Sequence, residues 1–133
     1  RTTYNINFLK EFSSSQLQIS YNLYDSKDND MDKKLLYVPD YSANIFLSHN
    51  FNQSMNMVFN YKYNGKRILQ YGSDWSDQTD GDSFGVLDLS ISKDFDALKA
   101  SLIVDNLLDE TFESTLGYPE PSRSIKLVTE YKI

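Results

Sequence analysis

The sequence predicts an all-β protein in which seven antiparallel strands form part of a transmembrane β-barrel. Three observations support this fold class: apolar and polar residues alternate along the candidate strands, the polar connections alternate between short and long, and no apolar run approaches the roughly 20 residues of a membrane-spanning helix. Because only every second residue of a barrel strand faces lipid, a hydrophobic content of 40% is compatible with this fold.

The alternation is clearest between residues 55 and 63. One face of this segment carries large apolar side chains, namely Met55, Met57, Phe59, Tyr61 and Tyr63. The length suits a tilted strand that crosses a bilayer, for which about 9 to 11 residues are needed, whereas strands of soluble proteins usually have about 5 or 6. The same period of two predicts seven strands, at residues 3–12, 16–24, 39–50, 54–65, 84–93, 97–106 and 123–133.

The connections between these strands predict an orientation. Short turns are expected at residues 13–15, 51–53 and 94–96, and long polar loops at 25–35, 66–83 and 107–122. Outer-membrane barrels have short periplasmic turns and long outer loops, so the long loops are expected outside and the last strand is expected to end inside. Aromatic residues near the strand ends are expected to form two interfacial girdles, with Tyr41, Tyr61, Tyr63 and Phe84 outside and Phe12, Phe51 and Tyr131 inside.

Composition excludes several classes of function. The chain has 13 Lys and Arg against 19 Asp and Glu, a net charge of -6, which disfavours a nucleic-acid partner. It has no cysteine, and His49 is its one histidine, so disulfides, thiolate metal sites and multi-histidine sites are excluded. No phosphate-binding loop or nucleophile elbow appears. We therefore predict a protein that is not an enzyme and that has no cofactor and no metal site.

Two linked motifs occupy the last third of the chain. The first is Asn106-Leu107-Leu108-Asp109-Glu110-Thr111-Phe112, and the second contains Gly117, Tyr118, Pro119 and Arg123. Together they resemble the C-terminal signature of TonB-dependent outer-membrane receptors, although Ser122 stands where that family usually has Gly. Tyr131 and Ile133 continue the terminal alternation, with Ile in place of the family's final Phe. We expect all these residues to have structural roles, because Gly and Pro set turn geometry and Asn and Asp bond nearby backbone.

The resemblance implies more than the residues themselves show. It implies that residues 1–133 are the C-terminal strands of a 22-stranded barrel in the bacterial outer membrane, preceded by the other strands and by a plug domain. The family imports scarce nutrients, most often ferric siderophores or similar metal chelates, with energy that TonB transmits to the plug. Expected partners are therefore outer-membrane lipid, TonB through the plug, and a chelate whose identity the sequence does not specify. An odd number of strands and a start at Arg1 also predict a fragment.

One predicted outer loop combines aromatic and acidic side chains. Tyr71, Asp74 and Trp75 are candidate contacts for an aromatic ligand or chelate, since loops at the mouth of a barrel carry binding residues. An ordinary solvated loop is the competing interpretation. The acidic run at residues 25–32 lacks the Gly and the closing Glu of a calcium loop and is interpreted as solvated.

Two alternatives remain open at this point. The chain is alternatively a small soluble β-barrel or sandwich that binds an apolar ligand inside, or part of a passive porin. Dependence on detergent separates the first alternative from a membrane barrel, and the absence of a plug would indicate the second.

Overall fold

The computed structural model describes residues 2–28, 30–73, 75 and 77–131, and within them the chain is built from strands and their connections. No helix in this described part is long and apolar enough to cross a membrane. The strands are β1 (Thr2–Glu11), β2 (Ser15–Asp25), β3 (Lys27–Asp28), β4 (Lys33–Lys34), β5 (Tyr41–Asn52), β6 (Met55–Asn64), β7 (Arg67–Tyr71), β8 (Gln78–Gly81), β9 (Phe84–Phe95), β10 (Leu98–Asp105), β11 (Glu113–Thr115), β12 (Tyr118–Pro119) and β13 (Ser124–Tyr131).

Seven of these strands form one antiparallel sheet with the order β1-β2-β5-β6-β9-β10-β13. They correspond to the seven predicted strands, so the predicted all-β architecture is confirmed. Every neighbour in the sheet is the next long strand along the chain, which gives an up-and-down meander. Connections of two or three residues lie at one end, called here the turn end, and the three long connections lie at the other, the loop end.

The register places the residues of each strand on two faces, one of which is predominantly apolar. One continuous row contains Lys10, Leu17, Leu47, Phe59, Leu89, Val104 and Ile125, each paired with the next across neighbouring strands. The alternate positions form a polar ladder in which Asn22 donates to Ser42 Oγ (3.2 Å) and Ser92 Oγ lies 2.9 Å from Ser101 Oγ. We call these two surfaces the apolar face and the polar face. The one shift of register in this sheet lies between Asn50 and Asn52.

Most of the apolar face is open in the described part of the chain, and Val104 is its buried residue there. Ile6, Ile125 and Leu127 are 69%, 67% and 72% exposed, whereas a core strand would bury such side chains. Buried hydrophobic residues in the described chain are few, namely Ile68, Leu69 and Val104, and the first two lie in a long connection. The sheet is therefore held by its backbone ladder and its cross-strand pairs, and its apolar face requires an apolar environment.

Tyrosine rings gather on the apolar face near the loop end. The Tyr41 ring lies between those of Tyr21 and Tyr63, with centroid distances of 6.0 and 5.9 Å. Gly65 makes room for Tyr41, because a Cβ there would lie 2.8 Å from its ring. The predicted place of Phe84 in this girdle was wrong: Phe84 is one residue before Gly85, and the period of two places it on the polar face.

Candidate ligand-binding site at the loop end

The three long connections, loop A (residues 26–40), loop B (65–83) and loop C (106–123), each fold into structure of their own. Each contains a small two-stranded sheet, formed by β3 and β4, by β7 and β8, and by β11 and β12. From the sequence these segments are predicted only as long polar loops. Each strand pair fixes part of its loop by backbone hydrogen bonds, so the loop end carries defined surfaces on which ligand contacts can be placed.

Loops A and B are joined by backbone hydrogen bonds. The amide of Tyr37 donates to Ile68 O at 2.8 Å, and that of Asp40 donates to Lys66 O at 3.0 Å. The Tyr71 hydroxyl adds a side-chain bond to Lys34 O at 2.8 Å. Because loop B also supplies the buried Ile68 and Leu69, it is the centre of a small core at the loop end.

A cleft of about 330 Å³ opens between loops A and B. Its charged lining comprises five basic and three acidic side chains, Lys27, Lys33, Lys34, Lys66 and Arg67 against Asp32, Asp40 and Asp80. Two of the acids are already paired with lysines of loop A, Asp40 with Lys34 at 2.6 Å and Asp32 with Lys27. The lining is therefore net positive on a chain whose total charge is -6.

The Lys27–Asp32 pair also sets the ionisation of this edge of the cleft. The hydrogen bond and the charge of Lys27 lower the pKa of Asp32 below its ordinary value, and those of Asp32 raise the pKa of Lys27. Both groups therefore stay charged through the neutral range. The opposite charges of Lys27 and Asp32 cancel locally. Lys34 is paired as well, so the lysines of the lining that have no carboxylate partner among the ion pairs of the described residues are Lys33 and Lys66.

Two of the three predicted ligand contacts lie beside this cleft. Tyr71 lines it, and the Trp75 ring lies 5.6 Å from the Tyr71 ring. Lys33 Nζ lies 5.8 Å from the centre of the Tyr71 ring and donates to Trp75 O at 3.0 Å. Asp74 lies outside the described residues. The arrangement offers aromatic surface and positive charge together, which suits a flat or aromatic anion.

A single arginine connects loop B to loop C. Arg67 is 7% exposed, and its guanidinium donates to Asp82 O at 3.1 Å and to Glu113 O. The guanidinium lies 4.8 Å from the centre of the Phe84 ring, which stacks on Phe112 of loop C at 4.0 Å. Burial lowers the pKa of Arg67, but a guanidinium stays protonated in proteins and donates to these carbonyls as a cation. Loop C is thereby held over the polar face.

The opposite side of Arg67 has the opposite charge. A second cleft, of about 540 Å³, lies between loops B and C, and its acidic lining residues are Asp80, Asp82, Glu110 and Glu113. No group of histidines or carboxylates in the described residues has the geometry of a metal site. An anion is therefore expected in the first cleft and is disfavoured in the second.

Asn106 is the centre of the first C-terminal motif. It is 5% exposed and has a φ of 52°, and its side chain donates to Glu110 O and accepts from Glu110 N, both at 2.9 Å. Its own amide donates to Asp88 Oδ1 at 3.1 Å, which ties loop C to the neighbouring strand β9. These contacts are those of a turn, and the structural role of Asn106 and Glu110 stays a prediction.

Asp109 and Arg123 close the same turn from the other side. The Arg123 amide donates to Asp109 Oδ1 at 2.8 Å, its guanidinium donates to Leu107 O at 3.3 Å, and Asp109 has a φ of 57°. Gly117 has a φ of 78° and donates to Glu113 Oε2 at 2.9 Å. Tyr118 and Pro119 form β12, Tyr131 ends β13, and Ile133 lies outside the described residues. The structural roles of all these residues stay predictions.

Sequence reasoning missed the residues that organise the loop end. Arg67, Phe84 and Phe112 lie in three separate predicted segments, and none was singled out as a contact. The lysines of loop A are interspersed with aspartates in the sequence. The net positive charge of the cleft therefore becomes apparent only when loop B adds Lys66 and Arg67. The Gly65-Lys66-Arg67 run, basic in an acidic chain, was the available signal.

The sheet is similar to parts of solved structures. No protein-family model and no curated protein matches the sequence. Among solved structures, the siderophore receptor PirA from Acinetobacter baumannii matches with a TM-score of 0.79 and 18% identity over 96% of this chain and 21% of that one. The ferripyoverdine receptor of the outer membrane of Pseudomonas aeruginosa matches with 0.79 and 19% over 97% and 19%.

A third match, the ferric-catecholate import receptor Fiu from E. coli K12, has a TM-score of 0.75 and 18% identity over 96% of this chain and 20% of that one. This chain therefore spans about a fifth of the length of each of these proteins. At such identities the likeness establishes the fold, and it confirms the resemblance that the C-terminal motifs predicted. The chain has the fold of part of the β-barrel of TonB-dependent outer-membrane receptors.

Proposed function

We propose that this chain is the C-terminal wall and loop portion of a TonB-dependent receptor that imports a ferric siderophore or a similar metal chelate across the outer membrane. The observation that carries the proposal is the two-faced sheet: seven strands in unbroken succession present one apolar face that is mostly open and one polar face. A soluble barrel or sandwich of this topology would bury the apolar face, so lipid is the environment that fits it.

The orientation follows from the connections. In the proposed barrel the apolar face meets lipid, the polar face lines the lumen, and loops A, B and C lie outside the cell. β1 and β13 are the two edges of the sheet in the described chain, and each would leave unpaired backbone groups in lipid. We infer that further strands pair with both edges, and that a plug domain contacts TonB elsewhere in the protein.

The cleft between loops A and B supports a chelate as the cargo. Many metal chelates carry negative charge and flat aromatic or carbonyl ligands, which positive side chains and aromatic rings can hold together. Lys33, Lys66 and Tyr71 provide that combination at the proposed outer mouth. The solved structures with this fold include receptors for ferripyoverdine and a copper transporter, so the fold by itself leaves the metal open.

Fractionation of cells that produce the full-length protein tests the location. We expect to find the protein in the outer-membrane fraction and to need detergent to extract it. In electrophoresis the heated sample, in which a barrel is unfolded, should migrate more slowly than the unheated sample, in which it is folded. Recovery of the full-length protein as a buffer-soluble monomer would refute the proposal and favour the soluble alternative.

Uptake of iron-loaded chelates by a strain that depends on this receptor tests the cargo. Each chelate is compared in wild type, in a Lys33→Gln, Lys66→Gln variant and in a control variant, Lys99→Gln, which alters the turn end of the polar face. We expect the double variant to lose uptake of an anionic chelate and the control to keep it. Uptake that is independent of TonB and of all three lysines would indicate a passive porin.

A further inference from the structure

Three strands of the sheet end in the same side-chain unit on the apolar face. β1, β5 and β9 all run towards the turn end, and each carries a nitrogen-bearing side chain followed two residues later by phenylalanine. The three units are Lys10 with Phe12, His49 with Phe51, and Lys93 with Phe95. We call these six residues the turn-end belt.

Each unit is in contact within itself. Lys10 Nζ lies 5.9 Å from the centre of the Phe12 ring, and Lys93 Nζ lies 4.9 Å from that of Phe95. The His49 ring meets Phe51 edge to face at 4.6 Å, and its Nδ1 lies 2.7 Å from Ser15 Oγ of β2. The nitrogen-bearing group is thus carried over an aromatic ring at the same end of all three strands.

The aromatic rings of the belt are open to the surroundings. Phe12, Phe51 and Phe95 are 57%, 52% and 49% exposed. Outer-membrane barrels carry girdles of aromatic residues where the apolar band meets the headgroups of a bilayer, and these three rings lie at the corresponding end of the strands. The ring therefore marks the depth at which the neighbouring lysine reaches lipid headgroups.

The charged side chains on the turn-end half of the apolar face are all positive. Lys10 and Lys93 are the charged side chains on the turn-end half of the apolar face among the described residues. The acidic residues at this end alternate onto the polar face or lie in a turn: Glu11, Asp94 and Glu130 are on the polar face, and Asp96 is in the turn after Phe95. A lysine in this position keeps its alkyl stem on apolar surface and places its ammonium in the polar boundary.

We propose that the turn-end belt binds the phosphate groups of anionic glycerophospholipids in the leaflet that surrounds the turn end. The inference rests on the proposed function, because it requires the apolar face to lie in a bilayer. The phenylalanine rings sit at the level of the glycerol backbone, and the two ammonium groups pair with headgroup phosphates just beyond it. Charge complementarity selects an anionic over a zwitterionic lipid, because the belt brings positive charge without a neighbouring carboxylate on its own face.

The test uses the full-length receptor, purified and delipidated in a neutral detergent. Native mass spectrometry measures its binding of phosphatidylglycerol and of phosphatidylcholine with the same acyl chains. A lysine near an anionic lipid surface contributes about fivefold in affinity, so Lys10→Gln with Lys93→Gln is expected to weaken binding of phosphatidylglycerol about 25-fold. The matched control removes two lysines from the polar face, Lys62→Gln with Lys99→Gln, and is expected to bind like wild type.

Three results would overturn the inference. These are equal binding of the two lipids by the wild type, wild-type binding by the belt variant, and an equal loss in the control. Added salt is expected to weaken binding of phosphatidylglycerol by wild type and to have little effect on the belt variant.

The electrophoretic assay separates this failure from failure of the proposed function. A receptor that migrates as a folded barrel and shows no preference for the anionic lipid refutes the belt alone. A protein that is a soluble monomer without detergent refutes both.

Discussion

Replacement of Asn106 by alanine tests whether the C-terminal motif holds loop C in place. Asn106→Ala removes both bonds to the backbone of Glu110, each contributing about 1 kcal/mol. It also places an alanine at a φ of 52°, where residues other than Gly and Asn are disfavoured by about 1 kcal/mol. Together these losses are about 3 kcal/mol, on the order of a 100-fold rise in the opening of the turn.

Hydrogen exchange measured by mass spectrometry on the folded receptor reads that opening directly. Peptides that contain the amides of Asp109 and Glu110 are expected to exchange on the order of 100-fold faster in Asn106→Ala, while peptides from β5 and β6 keep their wild-type rates. Asn106→Gly is the matched variant, because it loses the same bonds but adopts the backbone conformation without strain, so its effect should be about fivefold smaller. Wild-type exchange in Asn106→Ala would show that Asn106 does not hold the turn, and equal effects of the two variants would show that backbone strain at this position contributes nothing.

Three further predictions concern the loops and the sheet. Arg67→Met removes the hydrogen bond from the guanidinium to Glu113 O of loop C and should weaken the closure of this loop by about 1.5 to 3 kcal/mol, seen as faster proteolysis within residues 107–122; unchanged cleavage would contradict this. Gly85→Ala places a Cβ 2.2 Å from the Tyr61 hydroxyl, so the thermal unfolding temperature should fall, and adding Tyr61→Phe should recover part of the loss; no recovery would exclude the clash as its cause. Because Lys27 lowers the pKa of Asp32, the contribution of this pair to loop stability is complete above the ordinary carboxyl pKa and is lost as pH falls through the lowered one. Lys27→Gln should return the pKa of Asp32 in an NMR titration to its ordinary value, and an unchanged pKa would contradict that cause.

The sheet could be predicted from the sequence because two environments act on alternate residues. In the row that contains Leu47, Phe59 and Leu89, the five strands inside the sheet all carry apolar side chains, and the directly opposed positions Asn44, Lys62, Asn60 and Asp88 on the other face are polar. A period of two is visible in a single sequence, and it fixes the register, since a slip of one residue would reverse the faces. The turn predicted at residues 51–53 begins too early. The register shifts between Asn50 and Asn52, and β5 continues past this shift to its end at Asn52.

The loop end could not be predicted in the same way. Its organising contacts join residues far apart in the chain, such as Arg67 to Glu113, which are 46 residues apart, and Lys33 to Trp75, which are 42 apart. Such contacts leave no period, and the residues involved are ordinary polar or aromatic loop residues when read one segment at a time. Phe84 illustrates the limit: its position near a strand end suggested a membrane girdle, but the parity set by Gly85 directs it to Arg67 and Phe112.

The same contrast indicates where the identity of the cargo has to be sought. Receptors with 18% and 19% identity to this chain keep its sheet, because a barrel wall requires only the right polarity at each position. The residues of the wall therefore do not identify the cargo, because only their polarity is constrained. The loop end is different, because a cleft with Lys33, Lys66 and Tyr71 lies across Arg67 from a cleft with four carboxylates. Under the proposed function, an anionic chelate would gain from the first and be repelled by the second, so exchanging charge between these two clefts should change which chelate is taken up while the wall stays the same.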